Sequence, residues 1–375
     1  MKDIARRIVV TAVATGISAV ALGAAGAAFA QEGPRFLWGE GRARFLARPG
    51  GAPQPALSEA VTPDALPLWK GSFVFGGKTY NYTMVGTDPA AGSATTTIPV
   101  VVIPIRLIFA SPVVVLSAGN PVCGGTEDPV SLALASPLFQ PYAFAPGGTD
   151  VGTTQYIDAF QRANFWSEVS GGAPDYHVLL SPTVAPLQTA LVPKSLGTTA
   201  PGPCASVGRL GFIYFDFLAR AMIRRLQIPA TSLPLFVTYN TFLTDLGGCC
   251  ILGYHNVMAG GQTYAVADYS DAGLFDQPIE DIHAMSHELG EWLDDPFGVN
   301  PTPPWKAGQA TRCQGNLEVG DPVTGTAFEA TLGDVTYHPE DLVFLPWFAR
   351  ESPSSSVNGW YSFLDTFASP PDVCQ

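Results

Sequence analysis

The stretch HAMSHELGEWLDDP, His283 to Pro296, decides how the fold is read. The chain holds five histidines, and two of them stand here four residues apart, with Glu288, Glu291, Asp294 and Asp295 close behind. On a helix, residues i and i+4 lie on one face, one turn apart. His287 and Glu291 can therefore grip a single ion, while Glu288 points toward a water on it. This is the H-E-x-x-H logic of a zinc peptidase with glutamate in place of the second histidine. A carboxylate is an acceptable zinc ligand, although it donates more charge and weakens the Lewis acid. His283, one turn earlier on the same face, is a further candidate ligand or a partner of the ligands. The competing reading is a solvated helix face carrying capping acids.

The pattern predicts a helix from about Pro278 to Leu293. Asp276 or Asp281 would cap its first turn, and Pro296 would stop it. A third protein ligand must come from elsewhere. CQGNLEVGDP (313–322) offers Glu318 first and Asp321 second. CCILGYHN (249–256) offers His255, as a ligand, as a donor to an oxyanion, or as a loop histidine under disulfides. His338 and the Asp294–Asp295 pair read as structural. With Zn2+ bound, water would ionise more readily, and Glu288 would carry its proton to the leaving amine. His255, Tyr254 or Tyr264 would hold the oxyanion.

The bulk composition sets limits. The 375 residues are 47 % hydrophobic and 14 % charged, with 39 glycines and 34 prolines, as in a globular chain with a sizeable core and many turns. A formal net charge of −13 and the absence of a Lys/Arg cluster after the N-terminus argue against nucleic acid or anionic membrane as a partner. Lys2, Arg6 and Arg7 precede an apolar run over residues 8–27, and Ala28-Phe29-Ala30 fits a signal-peptidase site. The expectation is a signal peptide over 1–30, cleaved after Ala30, and a secreted or periplasmic protein free of the membrane. All six cysteines follow this signal, which favours disulfides. The adjacent Cys249 and Cys250 are expected to bond to different partners.

Residues 31–69 read as a loosely ordered leader, and 70–375 as one α+β domain with the metal site in 245–325. GSFVFGGKTYNYTMVG (71–86) reads as a hairpin, giving a β-rich start. Residues 95–110 read as a buried strand whose prolines imply bends or an edge. A helix is expected over 153–169 and a short strand over 176–182, where His177 is a wall residue. A helix over 209–226 is apolar nearly all round and should back the sheet. Residues 232–244 read as a strand, and 261–270 as an edge strand able to align an extended peptide.

Ser286, His287, Glu288, Glu291, Asp295 and Pro296, followed by Trp305, Cys313, Glu318 and Asp321, resemble a pattern of bacterial secreted proteins. Those proteins carry S-H-E-x-x-E-x-x-x-D-P, a later tryptophan, and E-x-x-D near a cysteine. They are related to the phosphate-induced, exordium-like family and are viewed as zinc-dependent peptidases. The resemblance spans roughly 245–325. It implies a zincin-like domain with a mixed sheet and an active-site helix, acting on extracellular peptide or protein. Plant relatives of exordium type lack the H-E element. The alternative is a non-catalytic exported, cell-surface or wall-associated protein with a structural metal.

Overall fold

The computed structural model describes residues 35–37, 42–46, 65–246 and 248–374. The signal-peptide reading of 1–30 lies outside them, as does most of the 31–69 leader. The fold is mixed α/β, built on one large mixed sheet with six α-helices among the described residues. Its strands are β1 (Arg44–Leu46), β2 (Thr95–Ala110), β3 (Val113–Ser117), β4 (His177–Val184), β5 (Gln188–Val192), β6 (Gly197–Pro201), β7 (Ser206–Gly211), β8 (Leu233–Tyr239), β9 (Thr241–Asp245), β10 (Gly248–Val257) and β11 (Thr263–Tyr269). The order across the sheet is β6-β7-β9-β10-β11-β8-β2-β3, with β1 added to β10 and both β4 and β5 to β2.

Alternation along these strands sends side chains into two cores. Ala265 and Ala267 of β11, Leu252 of β10 and Leu235 of β8 join the core that also holds Met285, Leu289 and Trp292 of the helix His283–Asp294. Tyr264, Val266, Tyr254 and Phe236 point the other way, into a core covered by Phe215, Ala219, Met222 and Ile223 of the helix Phe212–Leu226. The sheet is thus covered on both faces. The histidine-bearing helix, called the site helix below, lies over β10 and β11, where small residues let it approach closely.

The expected hairpin is present as Leu68–Phe75 and Lys78–Val85, with Gly76 and Gly77 both at positive φ in the turn. Several boundaries differ from the sequence reading, each for a physical reason. The 153–169 helix is two, Tyr156–Asn164 and Trp166–Gly171, broken at Phe165. Residues 206–211 extend as a strand before the helix at Phe212 begins, and that helix is not buried all round: Ile213 is 83 % and Phe217 67 % exposed. The 232–244 strand divides at Asn240, whose positive φ turns the chain from β8 into β9. β2 is no edge, since β8 and β4 pair with overlapping stretches of it. Nor is β11, whose residues 265–267 pair with β10 on one side and β8 on the other. Its central residues therefore lie inside the sheet and are not an open edge for a peptide. Residues 248–257, expected as a loop, form the strand that carries His255.

The site helix starts at His283 rather than near Pro278. Asp281 accepts from Ile282 and His338 amides, and Asp276 from that of Arg35, so neither caps the first turn. Cysteines pair as Cys123–Cys204 and Cys313–Cys374, and Cys249 bonds to its neighbour Cys250 rather than to a distant partner. Part of the leader is tied into the domain, with β1 parallel to β10.

One close approach positions the site. A Cβ on Gly253 of β10 would meet Glu288 Cγ at 2.6 Å and the Val266 carbonyl oxygen at 2.9 Å. Gly253→Ala should therefore cost about 1–3 kcal/mol, as overpacked cores do. Urea unfolding measures this, and an unchanged midpoint would show that the helix does not sit this close.

Candidate metal centre

Every residue of the site helix is buried, including its polar ones. His283, His287, Glu291 and Asp294 follow one another at helical spacing along one stripe, and the stripe faces the interior instead of water. Buried polar atoms need partners, so the partners define the site.

His287 is held from one side. Its Nδ1 lies 2.5 Å from Glu340 Oε2. Glu340 is itself fixed, accepting from the Gly325 amide at 3.0 Å and donating its own amide to Ser286 Oγ at 2.8 Å. Nδ1 thus donates to Glu340, which leaves Nε2 as the nitrogen turned to the other acids. That Nε2 is buried without a hydrogen-bond partner. It sits 3.0 Å from Glu291 Oε1, out of line for a hydrogen bond, and 3.7 Å from Asp321 Oδ1. One donor atom from each of His287, Glu291 and Asp321 falls within a 4.8 Å set. Asp321 is oriented by Gln309, whose side chain donates to it. Phe45 of β1 stacks on the His287 ring at 3.6 Å between centroids. Gly320 approaches the ring so closely that a Cβ would come within 2.3 Å of Nδ1.

A second group adjoins the first. His255 Nδ1 is 3.4 Å from Glu288 Oε2 and 3.7 Å from Glu291 Oε2. Its Nε2 is 3.0 Å from the Asp295 carbonyl oxygen and 3.9 Å from Glu318 Oε2. Glu318 Oε1 accepts from Asn316 at 2.6 Å, whereas Glu318 Oε2, Glu291 Oε2, Glu288 Oε1 and Asp321 Oδ2 are buried with no partner. Among the described residues, the ion pairs of these carboxylates are with histidines.

Such crowding moves the proton affinities. Burial, reinforced by Glu291, raises Glu288 and Glu318 well above the ordinary glutamate range. Burial and Glu291 also push Asp321 up to about 8. For Glu291 burial is opposed and overcome by His287, so its pKa falls. Glu340 likewise resists burial through His287 and His283 and lies at about 2. Burial lowers His255, while the carboxylates around His287 outweigh burial and raise it.

Against the sequence reading, the structure brings His287 and Glu291 together and sets Glu288 beside His255. Glu318 joins His255 and Glu291, and Asp321 is the acid next to His287 Nε2. His283 belongs to neither donor set; its Nε2 lies 3.2 Å from Glu340 Oε1. Tyr254 and Tyr264 cannot reach an oxyanion here, because strand alternation puts both on the opposite face, against Asp216. His177 is a wall residue bonded to Asp158, and His338 is bonded to Asp281. Asp294 is held by Gln161 and Asn164, and the Asp295 carboxylate holds the 299–300 turn. No local sequence pattern marks Glu340 or Phe45, since neither lies within helical reach of His287.

A scan against protein-family models and searches of curated proteins and of solved structures return no match.

Two predictions test the centre. Asp268, Asp294 and Asp295 are raised by burial to about 7 and Asp321 to about 8, against an ordinary aspartate value of 3.8. The metal-free folded state then binds more protons than the unfolded chain between about pH 4 and about pH 8, so its stability falls as pH rises through that window. Glu340, whose pKa is depressed, acts in the opposite sense only below its ordinary value of 4.5. A cation needs deprotonated donors and binds better as pH rises. The Tm of chelator-treated protein should fall between about pH 5 and about pH 8, and the gain from added Zn2+ should widen. A gain that does not vary with pH would remove Asp321 from the donor set. Separately, Glu340→Gln should weaken Zn2+ binding by about 10–100-fold in a competition titration, because it removes the carboxylate behind the imidazole. Unaltered affinity would make Glu340 a mere packing residue.

Proposed function

We propose that the protein is an exported metal-dependent hydrolase, with zinc as the favoured ion and extracellular peptide or protein as the favoured substrate. One observation carries this reading: His287 is clamped through Nδ1 by Glu340, and its buried, unpartnered Nε2 is directed at Glu291 and Asp321. A carboxylate behind a histidine whose other nitrogen faces acids is how metal ligands are oriented. The orphaned oxygens of Asp321, Glu291 and Glu318 fit the same role. A site helix against a mixed sheet is compatible with a zincin-like arrangement. The choice of peptide rests on the H-E-x-x-E pattern. Three disulfides suit an oxidising compartment, secreted or periplasmic. No helix among the described residues is long and apolar enough to cross a membrane.

An ion at this position would supply Lewis acidity, bringing the pKa of water toward about 7. Glu288 supplies the base. With a cation nearby to offset its burial, Glu288 would be ionised and would take a proton from the attacking water and pass it to the leaving group. Its Oε2 lies 3.4 Å from His255 Nδ1. Glu291, with the Gly320 and Asp321 amides 3.3 Å from its Oε1, stays ionised as a ligand.

A second reading, an exported surface or wall-associated protein with a structural metal, draws support from burial. His287, Glu288, Glu291 and Glu318 are 0 % exposed, and Phe45 covers the imidazole. Elemental analysis and a peptide library separate the two. Hydrolysis by the wild type, lost by about 10²–10⁴-fold in a Glu288→Gln variant that keeps its metal, supports the enzyme. Metal without hydrolysis favours the structural role, and protein that takes up no metal overturns both.

A further inference from the structure

We propose that the buried cluster holds two divalent cations, with Glu291 bridging a first ion on His287 and Asp321 and a second on His255 and Glu318. The inference rests on the metal reading above and extends it.

The two donor sets share Glu291 and nothing else. Its two oxygens are turned to different imidazoles. Oε1 lies 3.0 Å from His287 Nε2, and Oε2 lies 3.7 Å from His255 Nδ1. A carboxylate spread between two nitrogens in this way is disposed to bridge.

The tautomer of His255 points to the second ion independently. Its Nε2 is 3.0 Å from the Asp295 carbonyl oxygen, which can only accept, so Nε2 carries the proton. Nδ1 is then a lone pair. It faces Glu288 Oε2 at 3.4 Å, a hydrogen bond when that carboxyl carries a proton, and Glu291 Oε2 at 3.7 Å. Glu318 Oε2, buried and 3.9 Å from His255 Nε2, falls in the same donor set, while Asn316 fixes its other oxygen. His255 itself is 1 % exposed, so bulk water does not satisfy the group.

Charge points the same way. Glu288, Glu291, Glu318, Asp321 and Glu340 are all buried in one place. When all five are ionised, as metal binding requires of its ligands, one divalent ion leaves most of that charge uncompensated and two nearly balance it. Imidazole with carboxylates suits Zn2+ or Mn2+, and paired ions sharing a bridging ligand are a known device for hydrolysis.

Titration of the full exported chain with ZnCl2, read by calorimetry and by native mass spectrometry, tests this. Wild type should take up two equivalents. His255→Phe and the isosteric Glu318→Gln should each take up one, with folding checked by circular dichroism. Glu318→Gln keeps the test usable if the histidine variant fails to fold. With Mn2+ alone, wild type should show the exchange-coupled electron paramagnetic resonance spectrum of a bridged pair, and Glu318→Gln that of an isolated ion. One equivalent in the wild type, or an uncoupled spectrum, overturns the bridged pair and leaves the hydrolase reading standing. No uptake at all overturns both.

Discussion

Taking a carboxylate out of water without a partner costs several kcal/mol, and this protein buries five of them around two turns of one helix. The architecture around the site helix answers that constraint. The His287–Glu340 contact is the firmest part of the answer. It joins the helix to a segment more than fifty residues later and fixes which imidazole nitrogen faces the other acids. Ser286 reinforces it, receiving the Glu340 amide while donating to the His283 carbonyl. Removing His287 would leave the buried Glu340 to His283 and the Gly325 amide alone.

The scaffold brings these groups within reach by being thin where the helix lies. Gly253, Ala265 and Ala267 form its floor, and Gly320 brings a loop backbone against the imidazole. The two glycines are small because Glu288 and His287 take the space. Phe45 closes the remaining face from a three-residue strand, and Gln309 ties that strand to Asp321 by bonding to both. The N-terminal strand and the metal candidates therefore belong to one packed unit. This is the arrangement that makes the site dry, strengthens its electrostatics and narrows access to it.

Local patterns carried a good part of the architecture. The hairpin around Gly76-Gly77, the long apolar β2 and the site helix were all legible, because each is governed by periodicity or by turn chemistry within a few residues. Order within the sheet was not. β11 looks like an edge from its polar residues, yet those residues are buried against β10 and β8. β10 looks like a loop, since Cys249, Gly253 and Asn256 dilute its strand pattern, and tertiary pairing overrides that weak propensity.

For the site, the sequence by itself determined that His287, Glu288 and Glu291 share a helix and that two of them share its face, since spacing alone dictates this. It also supplied Glu318 and Asp321 as nearby acids. Only the tertiary structure decided that Asp321 faces His287 while Glu318 faces His255, that Glu340 holds the imidazole, and that Tyr254 and Tyr264 lie across the sheet. The reason is physical. A helix fixes neighbours three and four residues apart, but the meeting of residues 33 or 53 positions apart depends on how strands order and how closely backbones approach. Those are properties of the packed chain that no short stretch of it contains.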